Sequence, residues 1–584
     1  MRAEPHTGGD PLRWSSHLLR AFYREGVRHV WISPGSRSTP LVLAAAIHPG
    51  FSKHVVLDER SAGFQALGCG KSSGVPALLI CTSGTALANY HPAVIEARQA
   101  GVPMIVLSAD RPPHLRATGS SQTIDQIKLF GDSVLFFHEL GEPAGAPEDL
   151  NRLDLLARQA LEISIRRAGP IHLNAPFRKP LDPEADTLER ETRLAEKQAC
   201  KPPAAPGRIR ISGQAELPEP VIQQIEASAR PLLIAGTDEP CRAGIQLAET
   251  LAIQKQIPLL AEPGSALPDR LPAIKRYDIL LGQGKVPNQM APDLILKLGN
   301  LPFSRSLMSL VETRPEIPVI QFLTRESWQQ GSERVDHQIR IDGYEPNFDG
   351  ITPKPLEWGE QWRHLDQRAE QILNKHLADT KELTDGHVCN HLSRLLTGEW
   401  NLMLSNSWTI RDLALFRPGK PLQHHVATNR GAAGIDGIVS TAIGLQKENN
   451  RRTAVLVGDL AMLHDSNALL SLRKSDPGLL ILVVNNGGGT IFRMLPVYKA
   501  AREYYKSYFE TPQEADLTGL AAAHGLAHQT ITSLDQLYSL EELPDPSEGS
   551  VLLEFRTDAE STMKLRQKLW RFMESDGTGT AFDP

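Results

Sequence analysis

An aspartate and an asparagine, each just past an apolar run, carry the strongest chemical signal in this chain. Asp459 follows Gly458 and residues 453–457 (TAVLV); Asn486 lies in Asn485-Asn486-Gly487-Gly488-Gly489, after residues 479–484 (LLILVV). Both runs read as buried parallel strands. The carboxyl edge of such a sheet is where open α/β folds bind ligands. A carboxylate from one loop and an amide oxygen from the next suit a hard divalent cation that bridges phosphate oxygens. Asp459 would bring charge, Asn486 a neutral carbonyl oxygen, and Gly488 a backbone carbonyl with no Cβ in its way. The same Asp and Asn also suit helix N-caps at two strand-to-helix turns.

A second set of polar loops lies in the first third. Ser33-Pro34-Gly35-Ser36-Arg37-Ser38-Thr39-Pro40 follows an apolar run and precedes a helical segment. It reads as a helix-capping loop, or as an anion cradle in which Arg37 adds a fixed charge. Asp58-Glu59-Arg60 follows the next run; such a triplet is a solvated turn, unless Glu59 faces a drier site where it could share a proton with a bound base. Thr82-Ser83-Gly84-Thr85 is another strand-to-helix loop, and Ala109-Asp110-Arg111-Pro112-Pro113 a further one. The prolines stiffen that loop and would hold the Arg111 fork for a carboxylate.

The elements that must position these loops fall into three blocks. Residues 1–185 alternate apolar runs (29–33, 54–57, 77–82, 104–109, 171–174) with helical stretches, the pattern of a parallel sheet covered on both faces. Residues 186–220, with KPPAAPGR at 201–208, read as a linker. Residues 221–350 are again α/β, with strands expected at 231–235, 258–261, 293–298 and 318–322. Residues 351–384 contain a connecting helix at 356–378, and residues 385–584 hold the Asp459 and Asn486 loops, a closing strand at 550–555 and a frayed tail from 576.

Bulk properties exclude several classes. A chain of 584 residues is too long for one core. Net charge is −6 with both signs dispersed, which argues against a nucleic-acid binder. The five cysteines are far apart with no CxxC pair, as expected in a reducing compartment without a zinc site. The start, MRAEPHTGGDPLRW, has no apolar core of a secretory leader, and no apolar run approaches the ~20 residues of a membrane span. A cytoplasmic protein is expected. No G-x-G-x-x-G at a first strand-to-helix turn and no Walker-type loop is present.

Gly458-Asp459 followed by Asn485-Asn486 resembles the metal–diphosphate motif of thiamine-diphosphate enzymes. The first block adds SPGSRSTPL, DERSAGF, TSGTALANYHPAVIEA, ADRPP and GSSQTIDQ. The third adds Asn406-Ser407 with Arg411, NRGAAGIDG at 429–437, GDLAMLHD and NNGGGTIF. Together these motifs resemble the 2-succinyl-5-enolpyruvyl-6-hydroxy-3-cyclohexene-1-carboxylate synthase family of the menaquinone pathway, nearly end to end in the first and third blocks and loosely in the middle one. The resemblance implies three doubly wound α/β domains with parallel sheets: a pyrimidine-binding, a central and a diphosphate-binding domain. It implies sites shared between subunits, hence a homodimer at minimum and a homotetramer as the further expectation. The implied activity is that of a transferase dependent on thiamine diphosphate and Mg2+ (Mn2+ as an alternative). It decarboxylates 2-oxoglutarate and adds the succinyl carbanion equivalent to isochorismate.

Site residues follow from the same resemblance. Glu59 matches the glutamate at the cofactor's aminopyrimidine. Asp459, Asn486 and the Gly488 carbonyl match the metal ligands, beside Gly458, and Ile435 matches the apolar wedge that keeps the cofactor bent; ordinary core is its other reading. Ser36, Arg37, Arg111, Gln122, Ser407, Arg411 and Arg430 match substrate positions, in keeping with acidic substrates whose desolvated carboxylates each need a partner. Arg305 is a looser match from the central block, with a surface arginine as its other reading. Ile491 and Phe492 would be apolar walls, with core packing as the rival. Ser121 stands where the family often has asparagine, which would alter one hydrogen bond. The nearest rival is an acetolactate-synthase-like carboligase, which lacks the arginine demand. A non-catalytic scaffold is disfavoured by the intact Glu59, Asp459 and Asn486.

Overall fold

The computed structural model describes residues 10–200, 213–237, 242–265, 267–268, 270–282, 290–300, 302–324, 335–341, 344–397, 399–418, 424–472 and 478–572. The chain forms two compact units. One comprises residues 1–209, 429–450 and 464–475; the other comprises 210–428, 451–463 and 476–584.

The first unit is built on strands β1 (His29–Ile32), β2 (Ser52–Val55), β3 (Leu78–Cys81), β4 (Met104–Asp110), β5 (Phe136–Glu139) and β6 (Pro170–Pro176), all parallel, in the order β2-β1-β3-β4-β6-β5. Alternate side chains feed two cores, as the period of a strand requires. Val30, Ile32, Leu78, Ile80, Ile105 and Leu107 pack with Trp14, Leu18 and Phe22 of the helix Pro11–Arg24. Trp31, Leu79, Cys81, Met104 and Val106 pack on the other face with Phe64 and Leu67 of the helix Glu59–Ser73 and Val94 of the helix His91–Ala100. Strand order reverses between β1 and β3, which opens a crevice at their carboxyl ends.

Within the stretch expected as a linker, residues Ala185–Ala199 form a helix. Its buried positions Thr187, Glu191 and Ala195 recur at helical spacing, and Glu191 pairs with Arg20 at 2.6 Å. Charge and nearby prolines masked that periodicity in the sequence. Residues 201–212, which include KPPAAPGR, and the tail from 573 lie outside the described residues.

The second unit holds two six-stranded parallel sheets and one strand pair. The pair joins β7 (Gly213–Glu216) to β14 (Tyr344–Asn347). One sheet runs β10-β9-β8-β11-β12-β13, with β8 at Pro231–Ala235, β9 at Leu259–Ala261, β10 at Ala273–Ile274, β11 at Leu294–Leu298, β12 at Val319–Leu323 and β13 at His337–Arg340. The other runs β16-β15-β17-β18-β20-β19, with β15 at Trp400–Leu404, β16 at His424–Thr428, β17 at Thr453–Gly458, β18 at Leu480–Asn485, β19 at Ala527–Ile531 and β20 at Val551–Arg556. Its order repeats that of the first unit's sheet strand for strand. The switch point here lies between β15 and β17. The expected connecting helix is observed as Leu356–Asp379. Trp358, Trp362, Ala369, Leu373 and Leu377 seat it in a core that takes in Leu232 and Ile234 of one sheet and Leu402 and Leu456 of the other. Three doubly wound α/β sheets are therefore present, as expected.

Candidate functional site

In the first unit the polar loops gather at the carboxyl ends of β1, β3 and β4. Glu59 is the first residue of its helix, whose N-terminus is capped by Asp58 accepting from the N–H groups of Arg60 (2.8 Å) and Ser61 (3.3 Å). The cap fixes where Glu59 stands. Burial, then the Glu59 charge, push the Cys81 thiol well above its usual range. Glu59 is half-buried, and its neighbours Val55 and Leu57 are 72% and 71% exposed.

Arg37 is buried in the loop after β1. Its backbone N–H donates to Thr82 Oγ1 at 3.3 Å, and its Nη1 donates to Phe177 O at 2.7 Å. A Cβ on Gly35 would lie 2.4 Å from that of Thr82, so only glycine lets the two loops touch. Arg111, after β4, donates from Nη2 to Ser121 O at 3.2 Å. Its loop is anchored by buried Asp110, which Arg116 and Asn174 contact at 2.8 and 2.9 Å. Gln122, at φ +55°, donates to Ser83 O at 3.0 Å and accepts from Ser83 Oγ at 3.1 Å. Ser36 is exposed on the rim of this cluster. Burial first, then the charge of Arg111, lower the Arg37 pKa; Asp110 opposes them. The Nε atoms of Arg37 and Arg111 are both buried without a hydrogen-bond partner among the described residues. Two neighbouring guanidinium groups with unmet donors make a site that favours an anion.

The segment 429–437 belongs to the same unit. Buried Glu96 accepts from the N–H groups of Gly431 and Ala432, and this sets the loop that carries half-buried Arg430. Gly437 has φ +65° and abuts the Phe64 ring, where a Cβ would come within 1.9 Å, so the loop is docked on the helix that Glu59 begins. Ile435 is 40% exposed, so it is not ordinary core.

In the second unit Asp459 opens the helix Asp459–His464 at the end of β17, and Gly458 pairs with Val484 of β18. Asp459 is 6% exposed. Burial pushes its pKa up to about 6, against the N–H groups of Leu460 and Gly488, and the charge of Asp385 pushes it further up. Asn486 donates from Nδ2 to Asp385 Oδ2 at 3.0 Å, which leaves its carbonyl oxygen as the remaining end of the amide. Asn485 is spent on structure: its Nδ2 donates to Glu554 at 2.7 Å. Gly488 has φ +119° and a Cβ there would lie 2.3 Å from Glu510 O, so glycine is required. Its carbonyl accepts from Thr490 N–H at 2.8 Å and keeps a second lone pair.

These groups fit a divalent ion of a particular kind. Among the described residues no cluster of three or more His, Cys, Asp or Glu could hold a metal. One buried carboxylate, one amide oxygen and one backbone carbonyl form a hard oxygen set too small to bind an ion alone. Such a set suits Mg2+, which keeps part of its shell for phosphate oxygens and water.

Ser407 and Arg411 lie at the end of β15. Ser407 has φ +69°, and its carbonyl accepts from Arg411 Nη1 at 2.7 Å. Burial lowers the Arg411 pKa, opposed by Asp278, Glu262 and Asp412. Asp278, in the short helix Tyr277–Leu280, accepts from Ser304 Oγ at 2.5 Å, and Glu262, just past β9, accepts from Ser304 N–H at 2.8 Å. Arg305 follows Ser304, but its side chain is 73% exposed and pairs with Glu312 at 3.4 Å. Ile491 is half-buried and Phe492 is 39% exposed, beside exposed Met494 and Leu495. Sequence reasoning did not single out Glu96, Asp278, Asp385, Asp412 or Arg566. Each lies in a helix with its partner remote in the chain; Glu96 falls within the TSGTALANYHPAVIEA motif, and the other four lie outside the quoted motifs.

The fold, with ligand loops at the carboxyl edges of two sheets of the same strand order, is that of a thiamine-diphosphate-dependent enzyme. Residues 13–129 match the family model "Thiamine pyrophosphate enzyme, N-terminal TPP binding domain", and residues 409–555 match "Thiamine pyrophosphate enzyme, C-terminal TPP binding domain". Full-length relatives narrow the class. The chain is 35% identical over 575 residues to a 2-succinyl-5-enolpyruvyl-6-hydroxy-3-cyclohexene-1-carboxylate synthase of Chloroflexus aurantiacus, covering 95% of each chain. It is 33% identical over 580 residues to the enzyme of that name from Trichodesmium erythraeum, covering 95% of this chain and 96% of the relative. It is 34% identical over 579 residues to that of Haloarcula marismortui, covering 95% and 97%. The chain belongs to the 2-succinyl-5-enolpyruvyl-6-hydroxy-3-cyclohexene-1-carboxylate synthase family.

Proposed function

We propose that this protein is a thiamine-diphosphate- and Mg2+-dependent synthase that releases CO2 from 2-oxoglutarate and joins the remaining four-carbon unit to isochorismate. The observation that carries the substrate assignment is the Arg37–Arg111 pair. Two adjacent guanidinium groups with buried, unmet donors are costly in the free protein unless a carboxylate completes them. A carboligase acting on a monocarboxylate such as pyruvate has no use for that surplus of charge.

Bound thiamine diphosphate supplies the electron sink for decarboxylation. The protein's residues do the rest. Glu59 holds a proton at the aminopyrimidine ring and so keeps its base form available, a contribution of typically 10²–10⁴-fold. Asp459, Asn486 and the Gly488 carbonyl would hold Mg2+ at the diphosphate, with Gly458 giving room beside them. Ile435 would be the apolar wedge against the bound cofactor. Arg37, Arg111, Arg411 and Arg430, with Ser36, Gln122 and Ser407, bind substrate carboxylates and hydroxyls, and Arg305 is a further candidate for that role. Ile491 and Phe492 form apolar walls that exclude water. Two copies complete each site, so a homodimer is the minimum assembly and a homotetramer the fuller one. Buried free thiols at Cys69, Cys81 and Cys389 accord with a cytoplasmic setting, and no helix among the described residues is long and apolar enough to cross a membrane.

The test is direct. Purified protein with thiamine diphosphate and Mg2+ is given isochorismate with either 2-oxoglutarate or pyruvate, and CO2 release and product mass are followed. Adduct from 2-oxoglutarate alone is expected; turnover of pyruvate in its place would overturn the assignment.

A further inference from the structure

We propose that Asp385 is a positioning residue for the metal site: it orients the Asn486 amide, is itself held by the Arg566–Asp412 pair, and thereby sets how tightly the divalent ion binds. The inference rests on the assignment of Asp459 and Asn486 to the metal.

An asparagine side chain has two ends of similar shape, and only the oxygen binds a cation. Asp385 removes the ambiguity. It is 1% exposed, opens the helix Asp385–Leu395, and its Oδ2 receives Asn486 Nδ2 at 3.0 Å. With Nδ2 on that oxygen, the NH2 end of Asn486 faces Asp385 and the amide oxygen faces away. Outer partners of this kind commonly fix a ligand's orientation and basicity.

Asp385 cannot swing. Its Oδ1 receives Thr557 Oγ1 at 2.5 Å, and Oδ2 also receives Arg566 Nη2 at 2.9 Å. Arg566, on the helix Ala559–Trp570, forks onto Asp412 through Nε (2.8 Å) and Nη2 (2.5 Å), with its guanidinium 3.6 Å above the Trp408 ring. All three charged groups are at most 2% exposed. Two carboxyl groups and one guanidinium are thus packed behind the ligand amide as a single hydrogen-bonded unit. The bond to Asn486 ties this unit to the metal loop. The same helix, Trp408–Phe416, carries Asp412 and Arg411, so the metal ligand and a substrate arginine hang on one buried frame.

The experiment measures Mn2+ binding, by electron paramagnetic resonance of the free ion in the presence of thiamine diphosphate, on the full-length protein. Urea unfolding is run alongside to confirm that each variant is folded. Asp385→Asn keeps the shape but lets either end of the Asn486 amide face it; Mn2+ affinity is expected to fall about 10–100-fold. Arg566→Lys keeps the charge but loses the fork and is expected to weaken Mn2+ several-fold; it serves if the first variant does not fold. Affinity within twofold of the parent in a folded variant of either kind overturns the proposal. Asp459→Ala and Asn486→Ala are titrated in parallel. If both bind Mn2+ normally, the metal assignment itself falls and takes this inference with it. If they abolish binding while Asp385→Asn does not, only the role of Asp385 is lost.

Discussion

Glu96 holds Gly431 in place: its carboxylate accepts the Gly431 N–H at 2.9 Å, and its second oxygen takes the next N–H, of Ala432, at 2.6 Å. A Cβ on Gly431 would lie 2.6 Å from Ala100 N, so the loop is pressed onto the helix His91–Ala100 with no slack. Arg430 and Ile435 ride on this loop. Glu96 is 2% exposed and satisfied by backbone donors, which makes it a clamp for the loop that presents them.

Glu96→Ala is expected to lose two charge-assisted bonds at about 1.5–3 kcal/mol each before relaxation. Urea unfolding should show a loss of about 2–4 kcal/mol, and Michaelis constants for acidic substrates should rise. Glu96→Gln keeps one acceptor and should fall between. Parent-like stability in the alanine variant would mean that the loop holds itself.

For Glu59 the expected result separates folding from chemistry. Glu59→Gln keeps its place at the head of a helix whose cap, Asp58, is untouched. Thermal unfolding should match the parent while turnover drops by about 10²–10⁴-fold. Near-parent turnover would remove Glu59 from its proton-holding role.

Arg37→Met should show a trade between stability and function. The parent buries a guanidinium beside Arg111 with an unmet Nε. Replacing it with an apolar side chain of similar length should leave the melting temperature of the ligand-free protein equal or higher. It should also weaken kcat/KM for 2-oxoglutarate or isochorismate by about 2–5 kcal/mol, the usual effect of stripping a buried charge of its partner. Unchanged kinetics would make the pair a structural feature only.

Stability is expected to fall with rising pH on account of Asp465. Its carboxyl is fully buried, accepts from Ser440 N at 2.7 Å and Ser440 Oγ at 3.0 Å, and is pushed up to about 7 by burial, which outweighs those bonds and Arg60. In the unfolded chain the group ionises near its ordinary value of about 3.9. Between these limits the native state binds the extra proton, so Asp465 favours folding at low pH. That advantage is lost by about 1.4 kcal/mol per unit as pH rises toward 7. Asp465→Asn should lack this component and be the more stable protein at pH 8. Urea midpoints from pH 5 to 8 with equal slopes in both proteins would contradict it.

Several features were legible in residues 453–489 and 33–126 because their causes are local. Parallel strands buried on both faces are written as unbroken runs such as LILVV, and the glycines and small polar residues after them mark the turns. Short edge strands were not legible. β5 and β19 lie at sheet edges and have half-exposed patterns. The helix Ala185–Ala199 was hidden because its buried stripe includes a glutamate whose partner, Arg20, is 171 residues away.

The sequence by itself determined the alternation of strand and helix, the loops at the strand ends and the identity of the residues on them, since backbone preference and apolar periodicity act over a few residues. Only the tertiary structure decided which carboxylates stand behind those loops. Glu96 reaches Gly431 across 335 residues, Asp385 reaches Asn486 across 101, and Arg566 reaches Asp385 across 181. A buried charge takes its meaning from whatever the packed chain brings within hydrogen-bond reach, and that is a property of the packing, which short-range sequence does not encode.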